Sequence, residues 1–199
     1  AHAQGVPVIE DASHAHGVVM CGVHAGAFGD AGCFSLYATK MLSTGVGGVI
    51  TTNDELLAQY ARSARHHGAR EGRTDDIVRD GSDWLMTEAL AALGLAMLPS
   101  LPRWLQARMA VAEVYQREFQ RQAIGYATIP APYKTLCQFS AQDELASVQA
   151  RFDALCAPLR VRGLYARPVY ESAAVPFAPC PVAERELPLH LAFPVSPMA

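Results

Sequence analysis

The chain has 199 residues, 51% of them hydrophobic, and a formal net charge of −3. This length suits one domain, or a domain with a smaller second one, and the apolar content can build a sizeable core. So small a net charge gives no reason to expect nucleic acid or a membrane surface as a partner. No apolar run approaches the ~20 residues that cross a bilayer.

The cysteines and the first residues bear on the compartment. There are five scattered cysteines with no CxxC pair: Cys21, Cys33, Cys137, Cys156 and Cys180. An odd, scattered set predicts reduced thiols in a cytoplasmic protein, buried as small hydrophobic side chains, with neither a disulfide framework nor a metal site. Residues 1–5 are neither basic nor strongly apolar, so we expect no signal peptide there.

Strand and helix patterns alternate over the first hundred residues. Residues 1–5 are typical of a last helical turn closed by Gly5. Three strands are predicted at residues 6–9, 32–37 and 48–52, the first buried on both faces and ended by Glu10 and Asp11. Two helices are predicted at residues 54–67, with Asn53 as N-cap and Gly68 after its end, and at residues 87–98, apolar nearly all round and therefore buried. A charged loop over residues 69–80 separates them.

The pattern changes at Pro99 and Pro102, where we place a domain boundary. An amphipathic helix over residues 104–122 follows, then a strand near 126–129 and a helix near 143–156. From Arg167 the chain is rich in proline, so few regular elements are expected. The alternation before the boundary predicts an α/β sheet, with a smaller α+β part after it.

Lys40 follows a predicted strand and precedes a glycine-rich stretch. A lysine in that position can point into the crevice at the carboxyl edge of an α/β sheet, where ligands bind. There a desolvated amine can attack a carbonyl group. The alternative is a solvated surface lysine.

Three further polar residues lie near the same predicted edge. Asp11 could pair with a cationic ring nitrogen, or cap the following helix. Ser35 could bind a phosphate, or bond only to the backbone. His14 lies three residues after Asp11, so both side chains face one way on a helix start; it could bond an oxygen on the same ring, or be structural.

In their order and spacing, these residues resemble the DegT/DnrJ/EryC1/StrS family of pyridoxal-phosphate-dependent sugar aminotransferases. The resemblance rests on VIEDASHAHG, GDAGCFSLYATK and GVGGVITTNDELL, and is extended by ARHHG, ALAALGLAMLPSL and PCPVAERELPLHLAFPVS. It implies an aspartate-aminotransferase-type fold. Residues 1–103 would be the C-terminal half of the cofactor-binding large domain, and residues 104–199 a small domain incomplete at its C-terminus.

The resemblance also implies roles for individual residues. Lys40 falls on the lysine that forms the Schiff base with pyridoxal 5'-phosphate, and Asp11 on the carboxylate that pairs with the ring nitrogen. His14 falls near the ring hydroxyl, and Ser35 on a phosphate-binding serine. The implied reaction moves an amino group from an amino acid, commonly glutamate, to a nucleotide-linked keto sugar, in a homodimer with sites at the subunit interface.

Four positions depart from the family pattern. Met41 stands where an Asn usually follows the lysine, Val46 where the glycine run has Glu, and Leu85 where an Arg is usual. Asp83 stands where the neighbouring subunit usually supplies an Asn to the cofactor phosphate, and a carboxylate facing a dianion is unfavourable. The resemblance also places a phosphate-binding loop and a stacking aromatic ring upstream of Ala1. These departures keep an alternative open, a non-catalytic remnant that only packs or dimerises.

Overall fold

The computed structural model describes residues 1–121, 124–127, 133–138, 150–151, 153–154, 167–168 and 190–194. The chain divides into two compact units, Ala1–Pro102 and Arg103–Ala199. The assignment of residues 1–103 and 104–199 to the two domains of a longer fold stays a prediction.

The first unit is built on a three-stranded sheet. Its elements are β1 (Ile9–Asp11), β2 (Val19–Met20), β3 (Val23–His24), β4 (Ala31–Ser35), β5 (Gly48–Thr51), α1 (Glu55–Ala64) and α2 (Glu88–Met97). The sheet order is β1-β4-β5. Strands β1 and β4 are parallel, with Asp11 opposite Cys33, whereas β4 and β5 are antiparallel, with Ser35 opposite Gly48. The parallel pair brings the carboxyl ends of β1 and β4 to one edge.

The first strand begins later than predicted. The sequence places it at residues 6–9, but β1 starts at Ile9 and includes the two acidic residues expected to end it. Pro7 has no N–H to donate to a ladder, and the N–H of Val8 donates to the Asp30 carboxylate at 2.7 Å. A side chain therefore takes the N–H of Val8, while the Val8 carbonyl accepts the N–H groups of Asp30 and Ala31 at 2.8 and 3.4 Å. Regular residue pairing begins at Ile9.

The predicted burial of the first strand and of α2 is wrong for this chain. Ile9 is 72% exposed and Leu95, on α2, is 70% exposed. No residue of α2 is buried. The sequence pattern of residues 6–9 is that of a strand covered on both faces, and that of α2 is apolar nearly all round, yet neither element is buried in this chain.

The caps of α1 and α2 are side-chain acceptors. Helix α1 is capped by Asp54, not by Asn53 as predicted, because the Asp54 carboxylate accepts the N–H groups of Leu56 and Leu57 at 2.8 and 3.2 Å. Thr87 caps α2 through a bond from the N–H of Leu90 at 3.4 Å. A 3-10 turn over His2–Gln4, closed by Gly5 in the left-handed conformation, confirms the predicted turn at the start of the chain.

A short hairpin was not predicted. Strands β2 and β3 are antiparallel, and the two residues between them, Cys21 and Gly22, both have positive φ angles, 51° and 78°. This geometry suits a two-residue hairpin turn. The exposed thiol of Cys21 contradicts the expectation that every cysteine is buried.

In its described residues, the second unit contains most of a long helix, which starts two residues before the unit does, and an antiparallel sheet. Its described elements are α3 (Leu101–Arg121), β6 (Gly125–Ala127), β7 (Lys134–Gln138), β8 (Arg167–Pro168) and β9 (His190–Pro194), with sheet order β6-β7-β9-β8. Helix α3 begins three residues before the predicted start, since Pro102 is tolerated in a first helical turn. Phe119 is buried between the rings of Tyr115 and Tyr126, with centroids at 6.1 and 6.4 Å. The predicted helix at 143–156 lies mostly outside the described residues.

Among the helices in the described part of the chain, none combines the length and the apolar character needed to cross a membrane.

Candidate functional site

The carboxyl ends of β1 and β4 place three of the predicted residues along one edge of the sheet. Asp11 is the last residue of β1 and Ser35 the last residue of β4. Lys40 lies in the turn that leads from β4 towards β5, where its N–H donates to the carbonyl of Tyr37 at 2.8 Å. This edge is where open α/β sheets bind ligands.

The carboxylate of Asp11 is exposed and held by its own turn. Its Oδ1 accepts the N–H of Ser13 at 3.0 Å. The side chain and backbone N–H of Ser13, followed by the charges of His14 and Lys40, hold the pKa of Asp11 below its usual value of 3.8. Asp11 is therefore ionised at neutral pH. The alternative that Asp11 caps a following helix is wrong, since no α-helix follows β1 directly.

The side chain of Lys40 is half-buried. Its charge contributes to lowering the pKa of two groups, Asp11 and His16. The turn that carries it is fixed at both ends, because Leu36 donates to the carbonyl of Gly47 at 2.9 Å and Thr44 donates to the carbonyl of Leu36 at 3.0 Å. The amine thus lies on a backbone-anchored turn within electrostatic range of an ionised carboxylate.

Ser35 and His14 lie at the same edge. The Ser35 hydroxyl is half-buried and accepts the N–H of Tyr37 at 3.3 Å. The His14 side chain is exposed, and its charge contributes to lowering the pKa of Asp11. The structure therefore groups a carboxylate, an amine, a hydroxyl and an imidazole, a set that can bind a charged aromatic ring and carry out proton transfer.

Asp83 lies elsewhere in the first unit. Its backbone forms a bridge with His66, beyond the end of α1. Asp83 is exposed and is not among the groups that shift the pKa of Asp11 or of His16. The structure of this single chain does not bring Asp83 to the other predicted residues.

Sequence reasoning overlooked His16, which is 5% exposed and whose Nε2 atom has no hydrogen-bond partner. Burial, followed by the charges of Lys40 and His14, lowers the pKa of His16 from 6.5, although a hydrogen bond to the Ser35 backbone opposes this. The sequence offered one signal, a second histidine two residues after His14.

Two of the departures from the family pattern have a local explanation. Met41 is buried, so an apolar side chain after the lysine contributes to the core. Val46 is exposed, and its carbonyl accepts the Thr44 hydroxyl at 2.6 Å, a backbone bond that does not depend on the side chain at position 46. Nothing in the structure explains Leu85, which is exposed.

The model of the DegT/DnrJ/EryC1/StrS aminotransferase family matches residues 1–196. The chain belongs to this family. A GDP-perosamine synthase from Caulobacter vibrioides is 39% identical over 114 residues, which are 57% of this chain and 31% of that relative.

Solved structures share the fold of this chain. The aminotransferase TlmJ from Streptoalloteichus hindustanus has a TM-score of 0.80 at 26% identity, over 100% of this chain and 55% of that one. The E. coli GDP-4-keto-6-deoxy-D-mannose-3-dehydratase with bound hydrated PLP has a TM-score of 0.79 at 18% identity, over 98% of this chain and 58% of that one. These similarities confirm the predicted aspartate-aminotransferase-type fold, and the chain spans little more than half of each structure.

Proposed function

We propose that the complete protein is a pyridoxal-phosphate-dependent aminotransferase that transfers an amino group from an amino acid to a nucleotide-linked keto sugar. The observation that carries the proposal is the grouping of Asp11 and Lys40 at one sheet edge, where the charge of the lysine contributes to keeping the carboxylate ionised. Family membership supports the reaction class.

The residues present fit the chemical groups of the cofactor. Pyridoxal phosphate carries a basic ring nitrogen, a phenolic oxygen, an aldehyde and a phosphate. Asp11 offers an ionised carboxylate for the nitrogen, His14 a polar ring for the phenolic oxygen, Lys40 a primary amine for the aldehyde, and Ser35 a hydroxyl for the phosphate. When bound, the cofactor supplies an electron sink for the bonds at the donor's α-carbon.

Each residue then has a separate task. Asp11 keeps a proton on the ring nitrogen, because an ionised carboxylate stabilises the cationic ring. Lys40 would hold the cofactor through its amine, and as a free amine it would move the proton at the donor's α-carbon. Ser35 would hold the phosphate end through its hydroxyl. Asp83 contacts the site only if a second subunit presents it, as the family resemblance implies.

The sugar substrate is proposed from the relatives. The GDP-perosamine synthase of Caulobacter vibrioides supports a nucleotide-linked sugar as amino acceptor. We propose glutamate as the donor and a homodimer as the assembly, both from the family resemblance, and the cytoplasm as the location, from the odd and scattered cysteines. The alternative, a non-catalytic remnant, draws its support from the departures, of which Met41 and Val46 have a local structural explanation.

Isotope transfer tests the proposal. The complete protein is incubated with pyridoxal phosphate, [15N]glutamate and GDP- or UDP-linked keto sugars, and the sugar products are analysed by mass spectrometry. We expect 15N in the sugar for the parent protein and none for Lys40→Ala. Absence of amino transfer from any donor to any keto sugar, in a protein that binds the cofactor, would overturn the proposal.

A further inference from the structure

The ladder between β1 and β4 ends two residues before Ser35. Its last residue pair is Asp11 with Cys33, and the N–H of Ala12 then donates to the carbonyl of Cys33 at 2.9 Å. Carbonyl directions repeat every two residues along a strand. The carbonyl of Ser35 therefore points to the same side as that of Cys33, where β1 has already ended.

The ring of His16 occupies that side. It is buried, lies 5.4 Å from the Phe34 ring between centroids, and forms a hydrogen bond with the Ser35 backbone that favours the protonated ring, as a bond donated to a carbonyl does. Because Nε2 has no partner, the bond is formed by Nδ1. The side chain thus continues the bonding of the ladder beyond the last strand pair.

The neutral ring suits this task. Burial disfavours a charged imidazole, and the charges of Lys40 and His14 act in the same direction. With its proton on Nδ1, a neutral imidazole can donate to the Ser35 carbonyl while Nε2 remains an acceptor. His16 is then a donor on the side of Ser35 and carries no charge that would compete with the lysine.

We infer that His16 is a positioning residue: its Nδ1–H holds the backbone of Ser35 and so fixes the hydroxyl of Ser35 for the phosphate end of the ligand. The inference rests on the proposed function, because it takes Ser35 as a phosphate contact. Since His16 is 5% exposed and its ring lies against that of Phe34, the inference places it behind Ser35 and not in contact with the ligand.

Binding of pyridoxal phosphate and of pyridoxal, which lacks the phosphate, tests the inference in the complete protein. In His16→Leu we expect pyridoxal phosphate to bind about tenfold more weakly, the scale of one lost hydrogen bond, with little change for pyridoxal. His16→Asn places an amide N–H near the position of Nδ1 and should restore binding. His16→Gln places its amide near Nε2 and should not. His24→Leu, at an exposed histidine of β3, is the matched control and should bind like the parent.

Equal weakening of both ligands in His16→Leu, or rescue by Gln and not by Asn, would overturn the inference, as would parent-like binding in His16→Leu. Circular dichroism of each variant reports whether it folds. A second measurement does not involve the cofactor: the 15N spectrum of the histidine rings, assigned with His16→Leu, should show His16 neutral with its proton on Nδ1. If the parent binds neither ligand, the proposed function fails, and the ring spectrum alone decides on His16, with a proton on Nε2 refuting the inference.

Discussion

Replacing Asp11 by Asn separates the charge of this carboxylate from its shape. The amide oxygen can still accept the N–H of Ser13, the bond that the structure shows at 3.0 Å. Asp11 is exposed, so water screens its interaction with Lys40, and losing the charge should change the stability of the fold little. The effect is expected in the chemistry, where the ring nitrogen loses the partner that keeps it protonated.

The expected loss is large for the reaction and small for binding of the cofactor. Removing one preorganised electrostatic contact to a transition state slows reactions about 10²- to 10³-fold, and we expect that range for Asp11→Asn. The assay is the half-reaction with glutamate, followed in a single turnover by the change in visible absorbance. Urea unfolding of the same variant supplies the control for stability.

Near-parental turnover in Asp11→Asn would refute the reasoning, because the Asp11 carboxylate would then only accept the N–H of Ser13 in its own turn. A variant that unfolds at a clearly lower urea concentration would contradict the assumption that the amide replaces the carboxylate structurally.

Three further predictions concern the fold. The Glu10 carboxylate accepts three backbone N–H groups, those of Gly26, Phe28 and Gly29 at 2.8, 2.5 and 2.7 Å. These bonds, of which the one from Gly29 has the largest effect, lower the pKa of Glu10 below 4.5. A lowered folded-state pKa stabilises above the unfolded value, so urea unfolding should show Glu10→Gln less stable than the parent at pH 7, with the gap closing as the pH falls below 4.5; a constant gap would contradict this. Asp54→Ala should cost about 1 kcal/mol of unfolding free energy and the control Asn53→Ala little, and equal losses in denaturant titrations would refute the cap. The 199-residue chain should self-associate in light scattering, because Ile9, Ile50 and Leu95 are exposed; a monodisperse monomer would contradict this.

The sequence predicts which residues lie together at one sheet edge, whereas their roles in the site stay a prediction. Asp11, Ser35 and Lys40 each follow a strand pattern, and parallel strands place such positions at one edge. His16 could not be found in this way, since its bond to the Ser35 backbone exists only after the turn behind β1 folds against β4. The site role of Asp83 rests on the family resemblance, which implies that a neighbouring subunit supplies this residue.

The helix cap and the start of β1 were predicted at the wrong residues because more than one group can form the same hydrogen bond. Asn53 and Asp54 are both good N-caps, and the sequence does not decide which of the two adjacent residues takes the role. The start of β1 depends on the Asp30 carboxylate, which takes the N–H of Val8 from 22 residues away. The hydrophobic periodicity of the sequence predicts neither the capping residue of α1 nor the first residue of β1.

Lys40 offers the most direct test of the central claim, because the chain contains only one other lysine, Lys134. Lys134 lies on β7 in the second unit, with its Nζ 5.6 Å from the centre of the Tyr133 ring. The complete protein is loaded with pyridoxal phosphate, reduced with borohydride and digested, and the peptide masses are measured by mass spectrometry. We predict that the visible absorbance band disappears on reduction, that the peptide with Lys40 carries the cofactor mass, and that Lys40→Ala shows no such band while Lys134→Ala behaves like the parent. A borohydride-sensitive band that persists in Lys40→Ala would contradict the account.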